Sequence, residues 1–465
     1  MARTGKRTQM AEPPDRISNL PDNVIENILD RLPLVYTVAT SILSRKWRHH
    51  WTRVSNLLLD ENFTADVREL GELRNEEYTQ EMMESDYMDA VNTFLLFHSG
   101  PIRNFVLHLP FNVEGPLMQA YVDKWIRVLS QKGVRELTLD ARARTFMVFN
   151  LPSYVFDYLE LRRLELRFCQ FKLPYNFGGF QNLTSLQLLR VRIYEDGLTN
   201  LIANCPLLEN LSIERYFGSL SLNAPKLKTL RARSCGFKDF ALRNVSDVVT
   251  ISLRHTWTKK STTRPFRCDI LKFFGSFPKL ENVTLGEQNI NVLAGYDVPK
   301  TLPTPLECLT SLTLLDLHLD APKHISCALC ILRSSPYLQT TNFKFLIQNS
   351  VASVEEEANV VAFLEDQFSE ADSLTSLLTV KVKGLMGTRP QIMFLKFILT
   401  SSPALKMVYE NAEANISKDA ELTMMCELVE CSRASNKAEM SYSRNQGITA
   451  VSYSKGHFDS SIFNF

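Results

Sequence analysis

Net charge is almost missing from this chain. Its 52 Lys and Arg stand against 51 Asp and Glu, a formal +1. That balance gives no overall attraction to nucleic acid or to an anionic membrane, and neither is expected as a partner. No apolar run reaches the ~18 residues that span a bilayer. The opening residues, MARTGKRTQMAEPPDR, are polar and basic and lack an apolar h-region. They read as a disordered tail rather than a signal peptide, and the chain as soluble and intracellular, in the cytoplasm and/or nucleus. The nine cysteines are odd in number and follow no framework, which fits a reducing compartment. Phosphate-binding glycine loops, H-E-x-x-H and G-x-S-x-G are all absent. Cys327-x-x-Cys330 has no second pair at zinc spacing and reads as two buried thiols. No catalytic residue, metal or cofactor is expected.

At 465 residues the chain exceeds the roughly 250–300 at which single cores stop growing, so it holds several domains or a repeat stack. Its most distinctive local stretch is LPDNVIENILDRLPLVYTVATSILSRKWRHHW, Leu20 to Trp51. Pro21 suits a helix start, and Asp22 and Glu26 suit the positive end of its dipole. Val24, Ile25, Ile28, Leu29 and Leu32 form one apolar stripe that Pro33 ends. Leu34 to Leu43 continues the apolar character, and Ser44 is placed to cap a third short helix carrying Trp47 and Trp51. Three short helices in about 35 residues are too few to enclose such side chains alone. They must bury them against the rest of the chain or a partner. Basic residues beside the tryptophans could hold single-stranded nucleic acid, but a helix that turns Trp47 inward and leaves Arg45, Lys46 and Arg48 in water is the better reading. His49 and His50 are adjacent and face different ways, which argues against a metal pair.

Residues 61–89 are acidic, with ten carboxylates against Arg68 and Arg74. They read as a partly helical connector or a solvated loop. Beyond about residue 100 the pattern L-x-x-L-x-L recurs. Its middle position falls at Leu137, Leu164, Leu186, Leu211, Leu230, Ile251, Val283, Leu312, Thr341, Val380 and Val408, with the register least regular after Ile251. A Pro-x-Leu element precedes the strand at Pro206, Pro225, Pro278, Pro336 and Pro403, where Pro ends the preceding element and Leu starts the strand. Helical stretches at 197–205, 268–277 and 327–335 lead into these elements. No repeat can bury its own apolar face, so neighbours stack into a curved solenoid with parallel strands on the concave side and helices outside.

Two sets of residues carry a resemblance. Leu20-Pro21, Ile28 to Pro33 and Thr40 to Arg48 (TSILSRKWR) resemble an F-box of the plant type. HSGPIRNFVLHL (98–109), VDKWIRVLSQKGVRELTL (122–139), LIANCPLLENLSI (201–213) and LLTVKVKGLMGTRPQIMFLKFILTSSPALKMV (377–408) resemble phrases of the plant F-box/leucine-rich-repeat/FBD family. The resemblance implies an α/β chain: a tail over 1–15, an F-box over 16–60, an acidic connector over 61–97, a leucine-rich-repeat solenoid over 98–350, an FBD-like region over 351–432 and a flexible tail over 433–465. It further implies a substrate-recognition subunit of an SCF (Skp–cullin–F-box) ubiquitin ligase. A Skp-type adaptor would link it to a cullin–RING ligase, and an unknown protein would be the substrate. Leu20, Pro21, Ile28, Leu32, Leu43 and Trp47 are then the candidates for the adaptor contact or its immediate support. The sequence departs from the plant F-box at Val35, Tyr36 and Ala39, where polar residues are usual. This leaves open a repeat scaffold with a degenerate F-box. Outward-pointing strand positions Arg163, Arg167, Arg231, Arg233 and Arg254, with His255 beside them, are the candidates for holding an acidic or phosphorylated target.

Overall fold

A computed structural model describes residues 17, 20–109, 116–141, 149–194, 196–254, 269–295, 297–346, 354–368, 373–444 and 447–453. The chain forms two compact units, Met1–Leu183 with Arg192–Tyr194, and Thr184–Val191 with Glu195–Phe465. The expected tail over 1–15, the far end of the C-terminal segment and His255 lie outside the described residues.

The first unit begins with helices Asp22–Leu29 and Leu34–Ala39 and the 3-10 turns Thr40–Ile42 and Trp47–Arg53. The first helix stops at Leu29, before Pro33, which instead precedes the second helix as its N-cap, in an extended conformation with the φ its ring imposes. Strand Asn56–Leu59 follows and pairs in parallel with Asn104–His108, which pairs with Glu136–Asp140 and then Arg163–Arg167. The acidic stretch expected as a connector is two helices, Glu61–Arg74 and Gln80–Phe97. Asp60 caps the former through the amides of Asn62 and Phe63, and Thr79 caps the latter. They bury Phe63, Val67, Tyr87, Val91 and Phe94, so they are the helical half of a repeat that begins at Asn56. Acid lines their wet side, which is why composition alone resembled a connector.

In the second unit ten strands run parallel in chain order, from Ser185–Leu189 through Asn210–Glu214, Thr229–Arg233, Thr250–Arg254, Asn282–Gly286, Ser311–Leu317, Thr340–Phe345, Thr379–Leu385 and Met407–Ala412 to Glu439–Arg444. Leu186, Leu211, Leu230, Ile251, Val283, Leu312, Thr341, Val380 and Val408 stand in one register row, as the repeat spacing predicts. Met440 extends the row, so the segment from 433 is no flexible tail at its start. Tyr442 is buried there. Its hydroxyl donates to Glu421, which Arg444 approaches at 3.6 Å. Gly447–Tyr453 closes the sheet antiparallel to it.

The Pro-x-Leu element is a tight turn. The Leu amide donates back to the residue before Pro: Leu208 to Cys205, Leu227 to Ala224, Leu280 to Phe277, Leu338 to Ser335 and Leu405 to Ser402, at 3.1–3.3 Å. Pro thus occupies the second turn position, which its ring angle favours. Leu lies two residues before the strand and is buried, rather than starting it. Val248, Leu309 and Leu377 close the same turn without proline.

The chain between strands is not always helical. Helices Gly197–Ala203, Ile270–Gly275, Pro322–Arg333 and Arg389–Ser401 sit where expected or in the longer repeats. Between Leu211, Leu230 and Ile251, however, the return path is strand Phe217–Asn223 and then Gly236–Arg243, paired in parallel. Nineteen and 21 positions are too few to pass through a helix and come back, whereas an extended segment fits. Single left-handed residues, Arg190, Arg215 and Ser234 with φ of 52–56°, turn the chain at the strand ends. Longer repeats cover the aliphatic row with aromatics, Phe394 standing edge-on to Phe343 at 5.2 Å.

Thr341 is the one polar member of that aliphatic row. It is fully buried, and its hydroxyl finds no partner among the described residues. Thr341→Val keeps the shape and removes an unpaired hydroxyl, so it should stabilise the chain by about 1 kcal/mol. Chemical denaturation of the two proteins side by side measures this; a lower midpoint for the variant would contradict it.

Candidate functional site

The N-terminal helices hold themselves together with few residues. Ile25, Leu29, Trp47 and Val54 form a buried cluster on which Leu20 packs in part. Trp47 is only 3% exposed, and its indole N–H points at the Ile17 carbonyl 3.4 Å away. Ser44 accepts from the Trp47 amide at 3.4 Å, a weak version of the expected cap. The buried Thr37 hydroxyl lies 3.2 Å from both the Leu29 and Pro33 carbonyls and ties the two helices together.

Polar bonds then join this hairpin to the first repeat. Asp30 accepts from the Ser55 amide at 2.9 Å and the Ser55 hydroxyl at 3.0 Å, just where the first strand begins. Buried His98 lies 2.8 Å from the Val54 carbonyl through Nε2, so that nitrogen carries the proton. Trp51 packs edge-on against Phe94 at 5.8 Å. The sequence prompted none of these three attachments, since each joins residues far apart in the chain and uses a lone polar or aromatic side chain.

What remains outside is a patch. Ile28, Leu32 (38% exposed), Tyr36 (61%), Ile42 (85%) and Leu43 (59%) are exposed on the same small module. Pro21 is exposed too. Of the six candidates, Pro21, Ile28, Leu32 and Leu43 therefore lie at the surface and Leu20 is half-buried. Trp47 is core, turned inward as expected of it, and so falls on the supporting side of that set. Tyr36, on the second helix, and Ile42, in the 3-10 turn after it, also belong to the patch; neither falls on the apolar stripe of the first helix from which the sequence was read. Leu32 and Tyr36 also edge a groove of about 470 Å³ whose lining includes Leu58, Phe63 and Asp66.

The five arginines divide. In the first unit, Arg163 faces Glu136 at 3.8 Å, while Arg167 binds Glu165 and reaches buried Asp140 at 3.3 Å. Arg167 is thus occupied inside the molecule. In the second unit, Arg231, Arg233 and Arg254 are exposed on neighbouring strands, and among the described residues only Arg233 has a nearby carboxylate, Glu214 at 4.0 Å. Cys327 and Cys330 are buried, and burial pushes both thiols up, to about 12 and about 11, as unreactive interior residues. Among the described residues no cluster suited to a metal ion is found, and no helix is long and apolar enough to cross a membrane.

Burial lowers the pKa of His98, a shift the Val54 bond opposes and Lys132 adds to. A histidine held neutral stabilises the fold above its unfolded pKa of about 6.5, and that stability is lost as pH falls below it. His98→Gln should cost about 1–3 kcal/mol at pH 7.5. It should also lose less stability than the parent between pH 7 and 5. Denaturant midpoints at both pH values test this; parallel pH slopes would refute it.

Comparison with known proteins bears on the same two regions. The F-box domain family model matches residues 17–59. The model for the LRR repeats of FBD-associated F-box protein At5g56370 matches residues 122–342. Neither describes an enzyme. The chain is 32% identical to F-box/FBD/LRR-repeat protein At1g13570 of Arabidopsis thaliana, across 93% of this chain and 99% of that one. It is 26% identical to FBD-associated F-box protein At1g66310 of the same plant, across 92% and 95%. F-box/LRR-repeat protein 13, also from Arabidopsis, is 23% identical across 93% and 97%. With an F-box at its head, parallel leucine-rich repeats behind it and a relative matched along nearly its whole length, the chain belongs to the F-box/FBD/LRR-repeat protein family.

Proposed function

We propose that this chain is the substrate-recognition subunit of an SCF ubiquitin ligase, acting in the cytoplasm and/or nucleus. The F-box docks a Skp-type adaptor, and the outward strand face holds a protein target. Bond-making belongs to the RING partner and the ubiquitin carrier it recruits; this chain contributes proximity, raising the local concentration of a target lysine. The observation that carries the reading is the division within the F-box. Ile25, Leu29, Trp47 and Val54 satisfy its own core, while Ile28, Leu32, Tyr36, Ile42 and Leu43 remain exposed on one module. Exposed apolar side chains concentrated this way mark a protein-binding surface.

The second reading is a repeat scaffold whose F-box no longer engages the adaptor. It is favoured by Val35, Tyr36 and Ala39, which stand where the plant F-box has polar residues. One capture experiment separates the two. Purified Skp-type adaptor should retain the full-length chain. Leu32→Glu combined with Leu43→Glu should weaken retention by at least about tenfold without lowering the melting temperature, since both side chains are exposed. Trp47→Ala, by contrast, should destabilise the module by about 3–5 kcal/mol. A well-folded parent that fails to bind any Skp-type adaptor decides for the scaffold.

A further inference from the structure

We infer that the target is an extended anionic peptide segment read at two points, its two acidic or phosphorylated clusters separated by about six residues. This rests on the reading that the strand face of the second unit holds a target protein. The observation is how charge is distributed across that face. Arg231 and Arg254 are exposed on adjacent strands, and among the described residues no carboxylate pairs with either. Lys381 and Lys383 are exposed on a later strand and are likewise without a carboxylate, Lys381 lying over the Tyr409 ring at 5.6 Å. The other two cations of the face are offset: Arg233 by Glu214 at 4.0 Å and Lys344 by Asp316 at 2.7 Å. Each end of this stretch therefore presents about two uncompensated positive charges.

Between the two ends the surface changes character. Ser252, Thr284, Thr313 and Asn342 form one register row, half-buried and uncharged. Asn342 donates to the Thr313 hydroxyl at 3.0 Å. A peptide backbone can lie over such a row and exchange hydrogen bonds with it without stranding a charge. Strand order then gives the span. Four steps separate Arg254 from Lys383 and five separate Arg231 from Lys381. At roughly 4.8 Å per step, the two clusters lie roughly 19–24 Å apart along the ladder. An extended chain advances about 3.3 Å per residue and covers that distance in about six to seven residues. Linking two weak anionic contacts at the matching distance multiplies their affinities, which neither cluster achieves alone.

Fluorescence anisotropy with labelled synthetic peptides and the full-length chain tests this. The peptides carry one Asp-Asp pair, or two pairs separated by one residue or by six, on a Gly/Ser background; a second set replaces Asp by phosphoserine. The six-residue spacing should bind at least about tenfold more tightly than the one-residue spacing or a single pair, and raising salt should weaken it. The set that binds more tightly identifies carboxylate or phosphoryl as the source of charge. Lys381→Glu with Lys383→Glu, and separately Arg231→Glu with Arg254→Glu, should each reduce binding to the single-pair level. These side chains are exposed, so circular dichroism should show the parent fold. Equal binding at both spacings, no binding by either set, or tighter binding of a single-stranded RNA of equal length overturns the inference. None of these substitutions touches the F-box patch, so adaptor capture reports separately on the ligase reading.

Discussion

Among the described residues, the parallel strands of the long sheet alternate a buried, mostly apolar face with a wet one, and no single repeat contains enough chain to cover the former. That constraint makes the architecture collective. The solution is a junction that recurs at the start of most strands of the long sheet, where a carbonyl beside one strand accepts two successive amides from the next. Thr184 takes Glu209 and Asn210, both at 2.9 Å; Thr310 takes Gln339 and Thr340 at 2.9 and 3.0 Å; Leu378 takes Lys406 and Met407 at 2.9 and 3.2 Å. The junction sets where a strand begins and is indifferent to what lies between. A repeat is therefore free to return through an extended segment, as between Leu211 and Ile251, or through a full helix such as Arg389–Ser401. Because loop closure costs little more for longer loops, irregular repeat length carries little thermodynamic penalty.

The F-box faces the same shortage of chain and divides its apolar residues two ways. Part is spent on a minimal core around Trp47, and part is attached to the first repeat through Asp30, His98 and Trp51. The rest stays at the surface. A module anchored at its base by hydrogen bonds to strand backbone can expose Leu43 and Ile42 without collapsing onto them, because its position does not depend on hiding them. The rigidity of the anchor is what makes the exposure affordable, and it leaves a patch free for a partner.

How much of this could be read from residues alone follows from which signals are local. The aliphatic row was legible because L-x-x-L-x-L repeats at fixed internal spacing, and it holds in register even where the intervals become irregular, from Val283 to Val408. In the second unit its last member, Met440, lies in a stretch dominated by charged and small polar residues and escaped notice; in the first unit Leu57 and Phe105, in register with Leu137, were likewise unread. Proline marked five of the turns and hid the others, which Val248, Leu309 and Leu377 close with the same bond and no proline. The adaptor candidates came from the F-box resemblance; helical spacing alone put exposed Ile28 and Leu32 in one stripe with buried Ile25 and Leu29, though it did turn Trp47 inward.

The near-zero net charge conceals the most consequential arrangement. Acid is concentrated on the wet side of helices Glu61–Arg74 and Gln80–Phe97, while the outward strand face from Arg231 to Lys383 carries an excess of cations. A sum over the chain cancels the two. On a strand face, however, charge acts at the scale of the Debye length, about 8–10 Å at ordinary ionic strength. Two basic clusters roughly 19–24 Å apart are then electrostatically independent of each other. On the proposed reading, such a face selects among polyanions by spacing rather than attracting all of them strongly. Arg163 and Arg167 show the opposite case, since carboxylates of the same face meet their charge: Glu136 at the surface for Arg163, and half-buried Glu165 and buried Asp140 for Arg167. Counting arginines along the sequence treated all five alike. What separates them is whether the neighbouring strand supplies a carboxylate at the same register position, and that is a property of pairing between repeats rather than of any one repeat.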